Sequence, residues 1–486
     1  MKKRLASLLQ KLGSSIPRAN ILSHDTHMRP YESDGLTLLK QIPLCVILPE
    51  NEEQVQSVLR ACYSLHISVV TRGAGTGLSG GATPTQEAVL LVMTKFNRIL
   101  DVEASNGVAC VQAGVRNLAI SEAAAPYGLY YAPDPSSQVA CSIGGNVAEN
   151  AGGVHCLKYG LTVHNVLKVR VVLMNGEIVE LGGLAPDAIG LDLLPAFIGS
   201  EGMLGVVTTV WVKLVPKPRH AAVILASFPT VQSAADAVAN IIAQGLIPAG
   251  LEMMDAATTA AVESYLRIGY DLEAAALLLC ESDGEPDVVA QEIEAMSSVL
   301  RASGASRLQV SKNESERLKF WAGRKAAFPA AARLMPDYYC MDGTIPRKNL
   351  AQMLQAIADM EHEFDLKCLN VFHAGDGNLH PLIMFDGQSE DSVQRAERFG
   401  AKILEACIAL GGTITGEHGV GLEKINHMCM QFSDAERQAM WSLKSAFDPL
   451  RLLNPEKAIP TLHRCAEFGK MHVHHGEMPF PDLPRF

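Results

Sequence analysis

At 486 residues, 48 % hydrophobic and 19 % charged, the chain is a folded protein too long for one ordinary core, which excludes disorder and implies two or three domains. A formal charge of −11 excludes a general nucleic-acid binder, which would be basic. Eleven scattered cysteines without a C-x-x-C pair make neither a disulfide framework nor an iron–sulfur cluster motif, and a reducing compartment is the simplest setting.

The N-terminus, with Lys2, Lys3 and Arg4 before Leu5, Leu8 and Leu9, reads as a short amphipathic helix in a segment 1–37. Its apolar part is too short and interrupted for a signal peptide. No apolar run approaches the roughly twenty residues of a bilayer span, so any membrane contact is peripheral. Val55, Val58, Leu59, Cys62 and Leu65 follow helical spacing after the start signal Pro49-Glu50-Asn51. A β-branched strand over 67–71 then enters a glycine-rich stretch: Arg72, Gly73, Ala74, Gly75, Thr76, Gly77, Leu78 and Ser79, with Gly80 and Gly81 beyond. Lacking a Cβ, glycine lets a bulky anion come close, and consecutive peptide N–H groups form a concave anion site. A surface loop is the alternative. Residues 75–80 also fit the dinucleotide fingerprint G-x-G-x-x-G, but 88–93 read as a strand, and the fingerprint needs a helix there. That excludes a nicotinamide-binding unit and leaves a pyrophosphate held by loop amides.

Residues 108–112 read as a strand and 115–125 as a helix ended by Pro126. A second loop region carries Pro133, Asp134, Pro135, Ser136 and Ser137, then Gly144, Gly145, Asn146, Asn150, Gly152 and Gly153. The paired glycines permit close backbone approach, and the asparagines can hydrogen-bond a flat polar ring edge. Two tight turns around a short helix are the other reading. A hairpin turning at Asn175-Gly176 joins 166–174 to 177–181. A third glycine cluster holds Glu201, Gly202, Gly205 and Val206, and 214–219 reads as an interdomain linker. From about 220 the texture becomes α+β without glycine clusters, as in a substrate lid, with strands over 221–228 and 274–281.

Two later stretches carry chemistry. In 371–381, a turn centred on Asp376-Gly377 puts His373 opposite His380, with Cβ atoms roughly 5 Å apart. Two such imidazoles can chelate a divalent ion, grip a substrate oxygen, or form a purely structural pair. Glu417 completes a His, His, carboxylate set that leaves positions open for substrate or water. His418, beside it, is the natural base at neutral pH. Arg324 can hold a substrate carboxylate bidentately, a surface ion pair being the alternative.

From about residue 20 onward, these glycine clusters, the two histidine motifs at 372–381 and 416–421 and the tail Met471-His472-Val473-His474-His475 resemble the FAD-linked oxidases. This is the vanillyl-alcohol-oxidase-like (PCMH-like) flavoprotein family, which holds glycolate oxidase flavin subunits and D-lactate and D-2-hydroxyglutarate dehydrogenases. The resemblance implies an α+β fold with a two-part PCMH-type FAD-binding domain (38–217) and an α+β substrate or cap domain (218–420). A C-terminal segment (421–465) returns to the flavin, followed by a tail (466–486). It implies FAD with its pyrophosphate in the loop from Arg72 to Ser79, contacts from the second and third glycine regions, and a C-terminal flavin contact at Asn454. It also implies a divalent metal (zinc, manganese or iron) on His373, His380 and Glu417, His418 as base, and Arg324 on the substrate carboxylate. The loop has no histidine, so FAD is expected to be non-covalent. Cys340 and Phe328 stand where relatives that hold a second carboxylate carry lysine and threonine. A small 2-hydroxy acid is therefore expected, glycolate first and D-lactate second. The implied partners are an iron–sulfur subunit and a second flavin-fold subunit, with the protein cytoplasmic and peripheral to the inner membrane through them. His463, His472, His474 and His475 would face such a partner, or belong to a solvated tail. A D-lactate or other D-2-hydroxyacid dehydrogenase acting alone is one alternative; a non-catalytic flavin-fold scaffold subunit, disfavoured by the intact histidine and glutamate set, is another.

Overall fold

The computed structural model describes residues 2–185 and 190–461; the expectations for the tail and its histidines lie outside them. The N-terminal half starts from a four-stranded sheet in the order Ile21–Leu22, Cys45–Ile47, Val89–Val92, Val69–Arg72. Val69–Arg72 and Val89–Val92 pair in parallel, Val69 opposite Val89. The crossover between them, 73–88, contains no helix, so the glycine stretch is a strand–loop–strand unit. Helix Glu52–Leu65 covers this sheet. Asn51 caps it by accepting from the Gln54 N–H at 3.0 Å, and Val55, Val58, Leu59 and Cys62 are buried at the expected spacing. Helix Lys2–Leu12 packs Leu8 and Leu12 into the same core. The leucine face of this amphipathic helix therefore turns to the protein's own core rather than to a membrane surface.

A five-stranded antiparallel sheet follows, in the order Ile99–Glu103, Val108–Gln112, Val206–Lys213, Val166–Val172, Ile178–Gly182. The hairpin forms at the predicted turn, with the Leu173 N–H donating to the Glu177 carbonyl at 2.8 Å. The helix placed at 115–125 runs over Asn117–Ala124 and tightens into a 3-10 turn over Ala125–Tyr127 at Pro126. In the second glycine region the short helix of the alternative reading forms, over Ile143–Glu149. Ser142 caps it, and the apolar residues Ile143 and Val147, four apart, are buried. Cap and burial outweigh the roughly 1 kcal/mol that each glycine costs a helix.

The linker region makes a short strand, Val215–Pro216, paired with Leu129–Tyr130. The C-terminal half is built on a seven-stranded antiparallel sheet ordered Arg307–Val310, His220–Phe228, Ala276–Gly284, Gly250–Asp255, Cys368–His373, Asn378–Phe385, Asp337–Cys340. Strand alternation sorts its two faces. Ile224, Ala226 and Phe228 pack with helices Val231–Ala243, Pro286–Ala302, Leu350–Phe364 and Glu390–Ala409. Val223 and Leu225 pack with helices Ala256–Leu266 and Glu314–Lys325. The chain then returns to the first sheet: Leu453 bridges Val69 in parallel, and the Asn454 N–H donates to the Val69 carbonyl at 2.7 Å.

Among the described residues nine cysteines are free thiols, all but Cys110 buried, and Cys429 is disulfide-bonded. Among the described residues no helix is long and apolar enough to cross a membrane.

Candidate functional site

A cavity of about 380 Å³ lies between the two halves. The N-terminal half lines it with residues 73–78, Ser137, Gly144, Gly145, Asn146, Glu201, Gly202 and Gly205; the C-terminal half contributes Phe328, His380, Glu417 and His418. Much of the wall is backbone. A Cβ on Gly73 would lie 2.1 Å from Ser142 Oγ, and Gly75, at φ +75°, has the Arg72 guanidinium 2.1 Å from where its Cβ would be. The loop thus closes tightly on its supports and presents main-chain groups to the cavity, a cradle that fits a flat cofactor bearing a pyrophosphate.

Several residues expected at the cofactor stand behind this wall. Arg72 is folded under the loop, donating to the Ser33 carbonyl at 2.5 Å. Ser79 lends its carbonyl to the Leu422 and Glu423 N–H groups. The Pro133 carbonyl accepts from Asn117 Nδ2 at 3.0 Å, Asp134 pairs with His155 Nδ1 at 2.7 Å, and Asn150 Oδ1 accepts from the Val163 N–H at 2.9 Å. Gly153 packs on the Asp134 carbonyl and Gly152 on the Glu417 carboxylate. Val206 is buried beside Val207, which lines the cavity in its place. Asn454 Nδ2 donates to the carbonyls of Gly81 and Glu201, and Lys457 Nζ donates to those of Gly81 and Thr83 at 2.7 and 2.6 Å. The C-terminal segment braces the cradle from outside.

The histidine hairpin forms in a different register from the one expected. His373 pairs with Asn378, and Val371 with His380. The turn spans four residues because Asp376 Oδ1 accepts from the Asn378 N–H at 3.1 Å and Gly377, at φ +80°, donates to the His373 carbonyl at 3.0 Å. His380 lies two residues beyond Asn378, so it keeps the face of His373 as a diagonal neighbour. The rings are 5.0 Å apart, edge to face. Glu417 Oε1 is 2.9 Å from His380 Nε2 and 3.3 Å from His373 Nε2. Two imidazole nitrogens and a carboxylate oxygen are donor types a divalent cation takes; among the described residues, the group whose ligand atoms all lie within 4.8 Å of one another is Asp342, His380, Glu417 and His418, with His373 joined to it through Glu417. The His418 ring stacks on His380 at 5.1 Å.

Burial opposes charge on Glu417, yet the hydrogen bonds from His373 and His380 hold its carboxyl well below the usual range. Burial likewise opposes charge on His373, but Glu252 and Glu417 lift it well above an ordinary imidazole. Burial pushes His418 down to about 4, against Asp342 and with help from His380 and Lys424. His418 is thus a neutral base at neutral pH.

Two acids that sequence reasoning missed organise these groups. Asp342 Oδ2 accepts from Thr415 Oγ1 at 2.7 Å, from the N–H groups of Gly416, Glu417 and His418 at 3.0, 3.2 and 2.8 Å, and from Lys424 Nζ at 3.3 Å. Three consecutive amides wrapped on a carboxylate make a nest, and it fixes the turn presenting Glu417 and His418. Glu201 ties the same loop to the other half, accepting from the Val420 and Gly421 N–H groups at 2.7 Å each. Glu252 takes His373 Nδ1 and Arg324 Nε, each at 2.7 Å. Arg324 is 3 % exposed, so it is no surface ion pair, and it sits behind the cavity wall. The available signal was an acid inside an apolar run, as in Leu251-Glu252-Met253-Met254 and Met341-Asp342.

The family description "FAD binding domain" matches residues 43–182 and "FAD linked oxidases, C-terminal domain" matches 217–458. The chain is 57 % identical over 480 residues to the glycolate oxidase subunit GlcD of Escherichia coli K12, covering 99 % of this chain and 96 % of that one. It is 41 % identical to GlcD of Bacillus subtilis, covering 88 % and 91 %, and 32 % identical to a D-lactate dehydrogenase of Archaeoglobus fulgidus, covering 86 % and 91 %. Among solved structures, p-cresol methylhydroxylase superposes with a TM-score of 0.81 at 16 % identity, and 4-ethylphenol oxidase of Gulosibacter chungangensis with 0.79 at 17 %, each covering 94 % of this chain and 97 % of the other. These last two likenesses establish the PCMH-type fold.

Proposed function

From the premise that the chain belongs to the FAD-linked oxidases, we propose that it oxidises glycolate to glyoxylate, with D-lactate as a second substrate. The observation that carries this reading is the convergence of His380, Glu417 and His418 on a cavity whose other walls are the glycine cradle. FAD held by residues 73–78 and the walls at 144–146 and 201–205 supplies a hydride acceptor. His373, His380 and Glu417 would hold a divalent cation, which supplies Lewis acidity at the hydroxyl. His418 takes the hydroxyl proton on a ring nitrogen, easing the alkoxide character that develops at the substrate. Arg324, pinned by Glu252, brings positive charge for the substrate carboxylate from behind the cavity wall. The backbone-lined cradle and the buried histidines exclude water from the reacting carbon.

The relatives named as subunits work in an assembly, and we extend this to the present chain. An iron–sulfur subunit and a second flavin-fold subunit would carry the two electrons on to a membrane acceptor. The protein would sit at the cytoplasmic face of the inner membrane through those partners alone.

The test is a substrate panel on the FAD-loaded protein, followed by visible flavin absorption. Glycolate is expected to bleach the flavin fastest and D-lactate next; bleaching by a hydroxy diacid alone would overturn the reading. Phe328 bears on substrate size. It lines the cavity that holds His380, Glu417 and His418 and packs edge-on to Tyr338 at 5.9 Å. Cys340, by contrast, is buried in the core below. Phe328→Ala is expected to raise the KM for glycolate and to move the preference toward longer 2-hydroxy acids by roughly tenfold or more, the scale set by removing apolar pocket wall. Ratios of kcat/KM across glycolate, D-lactate and 2-hydroxybutyrate measure it, and unchanged ratios would place substrate elsewhere.

A further inference from the structure

Glu252 stands in the middle of a core strand, between Leu251 and Met253, at 0 % exposure. Its two oxygens are divided between two side chains, an imidazole and a guanidinium. Oε1 accepts from His373 Nδ1 and Oε2 from Arg324 Nε, each at 2.7 Å. We propose that Glu252 is a positioning residue that sets both partners at once: it fixes which nitrogen of His373 faces the metal-binding side, and it holds the Arg324 guanidinium in place. This deepens the functional reading above and rests on it.

Sheet register gives the first argument. Met253 lies opposite Phe372, and Met254 opposite Val371, so continuing the antiparallel ladder by one step puts Glu252 directly opposite His373. Facing residues of neighbouring strands share a face and lie in side-chain reach. The carboxylate is therefore held to the imidazole by the cap sheet itself, a rigid element rather than a loop. Arg324 arrives from a separate element, the last turn of helix Glu314–Lys325.

Hydrogen-bond chemistry gives the second. A carboxylate only accepts, so the nitrogen facing it must carry hydrogen. His373 therefore carries a hydrogen at Nδ1, which leaves Nε2 as the nitrogen a cation would take once its own proton is displaced. That nitrogen points to Glu417 Oε1 at 3.3 Å, the oxygen that His380 Nε2 also approaches, at 2.9 Å. A carboxylate behind a ligating imidazole fixes ring and tautomer together. Arg324 has no other acidic partner among the described residues, so the same carboxylate also decides where that guanidinium points.

The experiment compares wild type, Glu252→Gln and Glu252→Asp as FAD-loaded proteins. Glutamine keeps the volume but has one acceptor oxygen and an NH2 group. It can accept from only one partner, and its amide meets the other with a donor. Each protein is stripped of metal by dialysis against chelator and titrated with Zn²⁺ and with Mn²⁺ by calorimetry, FAD content being followed alongside. Glu252→Gln is expected to weaken metal affinity by roughly 10- to 100-fold, the scale for removing such an outer partner, and to raise the KM for glycolate while FAD content stays at the wild-type level. Glu252→Asp keeps the charge but is one methylene too short to span both partners, so it is expected to lose less on each count. It also serves as the folded variant should glutamine prevent folding. Both variants binding metal with wild-type affinity would overturn the positioning role, as would a wild type that glycolate bleaches but that takes up neither ion. A wild type that glycolate does not bleach would overturn the functional reading itself.

Discussion

His418→Ala is expected to leave FAD bound and to slow flavin bleaching by glycolate by roughly 100- to 10,000-fold, the range for losing a positioned general base. The side chain makes no contribution to the cradle at residues 73–78, and its ring is stacked on His380 rather than bonded to the loop. Its main-chain N–H, which the substitution keeps, is the group that enters the amide nest on Asp342. The turn should therefore survive, Glu417 should stay in place, and the loss should fall on proton removal alone. Rapid mixing of the holoprotein with glycolate measures it. A variant that bleaches at the wild-type rate would mean that another group takes the proton.

Asp342→Ala is expected to be among the most destabilising single changes in the C-terminal half, by about 3–5 kcal/mol, the cost of removing one partner of a buried pair. Lys424 and Asp342 are both 0 % exposed, so the lysine would keep its charge in the interior with only the Glu423 carboxylate, at 3.6 Å, beside it. The amides of Gly416, Glu417 and His418 would lose their acceptor at the same time. Burial alone would raise the Asp342 pKa, yet the buried Lys424 ammonium beside it helps hold the carboxyl far below the usual range. A group depressed on folding contributes stability that is complete above its unfolded pKa and is lost as pH falls below it. The gap between wild type and Asp342→Ala should therefore be full at neutral pH and narrow only under strongly acidic conditions. Thermal midpoints across pH measure it; equal midpoints at pH 7 would show that the nest is dispensable.

Local signals carried much of the fold. The Asn51 cap, the strand at Val108–Gln112 and the Asn175-Gly176 hairpin depend on neighbours in sequence, and each formed where it was expected. The strand after the glycine loop was legible for the same reason. The Ile143–Glu149 helix was obscured by glycines whose cost is outweighed by tertiary burial. The histidine hairpin shows a subtler limit. A two-residue turn and a four-residue turn both keep His373 and His380 on one face, so the functional consequence was readable although the pairing was not. The acids were the real gap. Glu252 acts on His373, 121 residues away, and Asp342 acts on His418, 76 residues away. No window along the chain contains either relation. Asn454 shows the same effect in reverse. Its position near the cofactor site was expected, but only the three-dimensional packing reveals that its amide holds up the Gly81 and Glu201 backbones instead of lining the cavity.

The brace that Asn454 and Lys457 provide also sets an order of events during synthesis. Lys457 reaches back 376 residues to the Gly81 carbonyl. At the usual pace of a ribosome, the glycine loop emerges roughly 20–75 s before the residues that support it. Throughout that interval the nascent loop has the supports of its own half, Ser142 and Arg72, but lacks the hydrogen bonds that Asn454 and Lys457 give its far end. The brace on the glycine cradle is therefore completed only once residues 453–457 have been made and have returned to the first sheet.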